Sequence, residues 1–226
     1  MLGLDSVIEV VHGRAEEVRL GQQVDVLISE LIGSLVDDEG MSEILTSFCS
    51  AHRQDLAPDI RYVPEEVVLF GQVVAGSDGE DVTTRAGEEA AAGLRAALAG
   101  ELRVLTNLEG LTMAGEPFQL LWVDGAGGRR GGRDEVVSGF DPAWLSGLPA
   151  TMACWFEARL AEGVRLDSRG NSKVSTSWGW PLVPLASDLA PTPDPAEDLE
   201  LSFSLKASRV GDLNVEARLD YAASAR

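Results

Sequence analysis

The chain has 226 residues, 45% of them hydrophobic and 24% charged, with a formal net charge of −19. That is enough chain for one large domain or two small ones around a sizeable core, and it holds no unbroken apolar run of transmembrane length. Acidity on this scale argues against nucleic acid as a direct ligand, because phosphate binding needs basic patches; it suits either a cationic partner or plain solubility.

From the N-terminus, Asp5, Glu9 and His12 break up any signal-peptide core, so the expected setting is soluble and cytoplasmic. Val7 to Val11 is a short β-branched run and reads as a strand. Val24 to Ser29 is nearly continuously apolar, as in a strand buried on both faces of a parallel sheet. It ends at Ser29-Glu30, and the carboxyl ends of strands are where open α/β sheets bind ligands. Ser42 to Gln54 reads as a helix with Ser42 as N-cap and Ile44, Leu45 and Phe48 as its apolar stripe. Pro58 and Pro64 flank an expected turn.

Beyond this point strand signals dominate: Glu66 to Ala75, Glu116 to Val123, Ala150 to Leu160, Trp178 to Leu185, Leu199 to Ala207 and Leu213 to Tyr221. Two insertions interrupt them. Glu88 to Leu98 is Ala-rich and helical by propensity. Gly125 to Gly132 is a Gly-rich loop without the strand–helix context of a phosphate loop. Ala190 to Glu197, with Pro191, Pro193 and Pro195, reads as a linker. The fold class expected is α/β plus β: residues 1–60 as part of a Rossmann-like sheet, and residues 61–226 as a β-barrel-like domain. Cys49 and Cys154 sit in apolar settings as free thiols, and neither a disulfide framework nor a metal site is expected from them.

The stretch with the most chemistry runs from Val24 to Glu39, where an apolar strand delivers Glu30 and a loop containing Gly33 brings back Glu39, nine positions on. Taken alone, two such acids could be solvated loop residues. As a set, the strand, Ser29-Glu30, two large apolar residues, Gly33 and Glu39 resemble the double-glutamate loop of protein arginine methyltransferases. The resemblance implies that Glu30 and Glu39 grip a guanidinium, whose planar fork of donors suits paired, charge-assisted bonds to two carboxylates. It also implies S-adenosylmethionine as methyl donor and an arginine-containing protein or peptide as substrate.

Val10 to Leu20 resembles the family segment just upstream. That likeness implies adenine contacts for Glu16 and the Ala15 backbone, with Ser29 also beside the donor. Ser175-Thr176-Ser177-Trp178 stands where the family carries a Thr-His-Trp loop, so Ser177 and Trp178 would line the substrate pocket. Trp178 equally suits a core aromatic. Ser177 in place of histidine, with Ser-Glu-Leu-Ile-Gly-Ser, leans toward the symmetric-dimethylating branch. The resemblance covers about Gly3 to Tyr221 and is thinnest between residues 76 and 150, where the family's dimerisation arm would fall; homodimerisation is an expectation from the family alone. The family's Gly-rich strand–turn–helix and the acidic residue that binds ribose have no counterpart in these residues. An incomplete chain is the expectation that follows. The alternatives are a non-catalytic paralogue acting as an acidic module for Arg-rich partners and, less in keeping with a barrel, methylation of a small guanidino compound.

Overall fold

The structure is a computed structural model that describes residues 7–75, 92–93, 96–97, 102–105, 108, 111–131, 135–140, 151–169, 178–187, 199–207 and 213–221. A 3-10 turn, Ala15–Glu17, precedes strand β1 (Val24–Ile28), helix α1 (Met41–Ala51) and strand β2 (Leu56–Val63). Then come β3 (Glu66–Ala75), β4 (Arg103–Leu105), β5 (Thr112–Asp124), β6 (Arg129–Gly131) and β7 (Glu135–Phe140). The last strands are β8 (Thr151–Ala161), β9 (Val164–Asp167), β10 (Trp180–Pro184), β11 (Ala186–Ser187), β12 (Leu199–Ala207) and β13 (Leu213–Tyr221).

Strands β1 and β2 pair in parallel as a two-stranded sheet. The sequence marks Pro58 as a turn residue, yet it lies inside β2. Val24 pairs with Leu56 and Val26 with Arg61, so β2 carries extra residues in a bulge between those pairs. A bulge is one of the few places where a strand tolerates a residue without a backbone N–H. Val7 to Val11, expected as a strand, is not one; Val10 is 90% exposed. A strand needs a neighbour to ladder against, and its β-branched composition alone does not supply one.

The other strands form two sheets. One has the order β4-β10-β8-β3-β5-β6, with β9 paired to β8; the other has the order β11-β13-β12-β7. Among the described residues no pairing joins the two into a closed barrel. Phe203 of β12 and Ala217 of β13 share one core with Val67, Leu69, Met152 and Phe156. The placement of strand β8 explains why Met152 to Phe156 reads as an unbroken apolar run. Met152, Cys154, Phe156 and Ala158 face the main core, while Ala153 faces a second cluster with Val74, Ala97, Leu105 and Leu182. A strand covered on both faces loses the polar alternation of a half-exposed one. Of the Ala-rich segment 88–98, the described residues Ala92, Gly93, Ala96 and Ala97 are helical; the linker 190–197 lies outside the described residues.

The α/β segment shares the main core. Ile32, Leu35, Val36, Met41 and Leu45 are buried in it beside Val67 and Leu121. The helix therefore turns Met41, Leu45 and Phe48 inward, a shift of the expected stripe by less than one turn. The Gly-rich loop connects β5 to β6 and seats on this helix. Gly127 has φ of 88°, and a Cβ there would lie 2.6 Å from the Ser42 carbonyl oxygen and the Thr46 amide nitrogen. Only glycine relieves both constraints at once. Gly127→Ala should therefore cost about 1–3 kcal/mol, read as a lower denaturation midpoint with an unchanged slope; a midpoint equal to the parent's would show that the hairpin is not pressed onto the helix. Cys154 is buried and Cys49 partly so, and burial pushes both thiols above their ordinary range, which keeps them protonated and unreactive.

Candidate functional site

Strand β1 ends at Ile28, and the Ser29 amide donates to the Val63 carbonyl at 2.9 Å. The pairing stops there, and Glu30 emerges exposed at the carboxyl end of the strand. The next residues fold back. Gly33 and Val36 bond each other's backbones in an isolated bridge, with N···O distances of 3.3 and 3.1 Å. Asp38 braces this reversal by accepting the Leu35 amide at 2.9 Å. A Cβ on Gly33 would fall 2.1 Å from an Asp38 carboxylate oxygen, so a side chain there would push Asp38 off the Leu35 amide. Burial pushes the Asp38 carboxyl up, and its bonds to backbone amides pull the other way. Val36, fully buried, has φ of 69°. A β-branched residue in the left-handed region is strained, and such strain persists only where packing enforces it. Glu39 then emerges exposed, two residues before α1 begins. The two glutamates thus flank a tight, buried reversal and both face solvent.

Asp37 organises the far end of this loop. It is 2% exposed. Its Oδ1 accepts the Ser42 amide at 2.7 Å, and its Oδ2 accepts the Ser42 hydroxyl at 2.7 Å. Ser42 is therefore not the N-cap. Gly40 holds that position with φ of 77° and no side chain to offer, and the Asp37 carboxylate does the capping from three residues further out. Oδ2 also pairs with the Arg129 guanidinium from β6. At the loop's near end, the Trp178 indole donates to the Ile32 carbonyl at 2.7 Å and meets Phe156 edge-on at 5.1 Å between centroids. Trp178 is thus both a packed aromatic and a polar anchor for the loop after Glu30. Ser177 lies outside the described residues.

The 3-10 turn carrying Ala15 and Glu16 rests against the end of α1. The His52 Nε2 donates to the Ala15 carbonyl at 3.1 Å; a carbonyl oxygen only accepts, so this nitrogen carries a proton. Its Nδ1 lies 3.5 Å from an Asp55 carboxylate oxygen. Arg14 donates to Glu16 through Nε at 2.8 Å and through a second guanidinium nitrogen. The bond from its own backbone amide and then the one from Arg14 hold the Glu16 carboxyl below the usual carboxylate range. Glu16 is consequently an acidic acceptor on a pinned turn. Ser29, the residue after β1, is half-buried.

Sequence reasoning put Glu16, Glu30, Glu39 and Trp178 in one site, and the structure ties Trp178 to the loop between the two glutamates. It missed Asp37, Arg129 and His52. Asp37 is one of three consecutive acids, Asp37 to Glu39, and nothing in that run marks which one is buried. Arg129 lies 92 positions from its partner. Among the described residues no helix is long and apolar enough to cross a membrane, and no group of three His, Cys, Asp or Glu side chains could hold a metal ion.

An α/β segment whose strand ends in this loop packs on a pair of sheets, and in fold the chain resembles the protein arginine methyltransferases. Two solved structures carry that likeness. The Trypanosoma brucei PRMT1 enzyme–prozyme heterotetrameric complex with AdoHcy matches with a TM-score of 0.62 and 15% identity, over 99% of this chain and 72% of that one. Arabidopsis thaliana protein arginine methyltransferase 10, in an open conformation, matches with a TM-score of 0.57 and 14% identity, over 97% of this chain and 76% of that one. At these identities the likeness is one of fold. No protein-family model matches the chain, and no curated protein matches it in sequence.

Proposed function

We propose that this chain carries the guanidinium grip of an arginine methyltransferase, acting on arginine-containing protein or peptide in the cytoplasm. The observation behind this is the loop itself: Glu30 and Glu39 are both exposed, at the two ends of a reversal in which Ile32, Leu35, Val36 and Asp37 are buried and Gly33 and Val36 bond each other's backbones. Two solvent-facing carboxylates on a rigid frame bind a planar cation bidentately and orient one terminal nitrogen. Their charge also favours leaving the substrate's positive charge on the far side of the guanidinium, so that the reacting nitrogen keeps its lone pair. S-adenosylmethionine, when bound, supplies an electrophilic methyl group. Glu16 and the Ala15 turn would hold its adenine, with the carboxylate accepting from the exocyclic amine. Residues 1–60 would be the donor side and residues 61–226, as a barrel-like domain, the substrate side.

The test is calorimetric titration of the chain with S-adenosylmethionine, followed by transfer of a labelled methyl group to an arginine-containing peptide. Micromolar binding and label on arginine are expected. Donor binding with no label on arginine would overturn the proposal.

A further inference from the structure

Glu39 lies inside a small closed ring. Asp37, two residues before it, is tied by both carboxylate oxygens to Ser42, three residues after it, and the Gly40 amide donates back to the Asp37 carbonyl at 3.0 Å. Arg129 holds the ring from outside; its side chain is 14% exposed against 3% for Asp37. A pair removed from water to that extent is weakly screened and held in one geometry by its hydrogen bond, unlike a surface ion pair.

The hairpin that delivers Arg129 is itself stiff. Asp124 accepts the amides of Ala126 at 2.9 Å and Gly128 at 2.8 Å, its own amide donates to the Gly128 carbonyl at 2.8 Å, and the Thr46 hydroxyl donates to the Gly127 carbonyl at 3.2 Å. The β5–β6 hairpin is therefore fixed to α1 at Gly127 and Thr46 and to the glutamate loop at Arg129. Trp178 fixes the same loop at its other end. Neither clamp belongs to the α/β segment that carries the glutamates.

We infer that Arg129 is a positioning residue: by holding Asp37 it sets where Glu39 stands relative to Glu30, so the Gly-rich hairpin of the β region governs whether the pair accepts a guanidinium fork. This rests on the proposed grip of Glu30 and Glu39. A guanidinium needs two carboxylates in register, whereas a lysine ammonium responds mainly to their summed charge. Displacing Glu39 without removing it should weaken arginine binding and leave lysine binding nearly alone.

The experiment titrates the full chain with a short arginine peptide and its lysine counterpart, in the parent, Glu30→Gln, Arg129→Met, Arg129→Lys and Asp37→Asn, with a thermal melt of each variant. The parent should prefer arginine by about tenfold. Arg129→Met should abolish the preference while keeping lysine affinity, and Arg129→Lys should restore part of it. A folded Arg129→Met that keeps the full preference overturns the inference; if Glu30→Gln still removes the preference, the grip itself stands. A parent with no preference for arginine overturns both. If Arg129→Met does not fold, Arg129→Lys and Asp37→Asn decide by the same ratio: a lowered preference supports the positioning role, and an unchanged one overturns it.

Discussion

Glu30→Gln should lower methyl transfer to an arginine peptide by about 100- to 1,000-fold, the range for removing one charged group aimed at a reacting centre. The substitution is close to isosteric and removes only the charge. Glu30 is exposed beyond the last β1 pairing, so its carboxylate is not part of the frame. The thermal midpoint should stay within about 2 °C of the parent, as for a surface change away from caps and core. Glu39→Gln should behave alike. The double variant should be little worse than either single one, because the two carboxylates act as a unit on one ligand and their effects do not add. Label incorporation with peptide in excess, paired with a melt, gives both readings. Parent-level transfer by a folded Glu30→Gln would remove the carboxylate pair from the chemistry.

Asp37→Ala should act on the opposite axis, costing about 3–5 kcal/mol of stability, as when one partner of a buried ion pair is removed. Three groups lose an acceptor together: the Ser42 amide and hydroxyl and the Arg129 guanidinium. The guanidinium cannot give up its proton to escape, and the Gly131 carbonyl, 3.3 Å from its Nε, carries no full charge to balance it. For a chain of this size the melt should fall by about 6–20 °C. Asp37→Asn keeps an oxygen for Ser42 and should cost less. Chemical denaturation distinguishes the two; equal losses would mean that the ion pair, lost in both variants, carries the effect and the capping bonds add little. The contrast with Glu30 and Glu39 is the useful one: in one short loop, exposed acids are expected to serve the ligand and the buried acid to serve the loop.

Much of this was legible in the residues. Periodicity and composition located β1, β3, β8, β12 and β13 to within a residue or two. Their apolar runs are local signals that survive whatever they pack against. Ser29-Glu30, Gly33 and Glu39 pointed to the loop through their resemblance to a family pattern that spans only a few residues. The failures were equally specific. Val7 to Val11 has a strand's composition but no sheet neighbour. Strand β2 was hidden by Pro58, which a bulge against β1 in a two-stranded sheet makes tolerable. The Gly-rich loop was legible as a loop, but its purpose was not, because the helix backbone that forbids a side chain at Gly127 lies more than 80 residues earlier in the chain.

By itself the sequence determined where the strands and the helix can form and which acids stand at a strand's end. Those properties depend on side-chain pattern within a few residues. Tertiary structure alone decided which of three adjacent acids is buried, which arginine meets it and which tryptophan holds the loop. Burial and ion pairing are set by which distant segments share a volume from which water is excluded, and no local pattern encodes that.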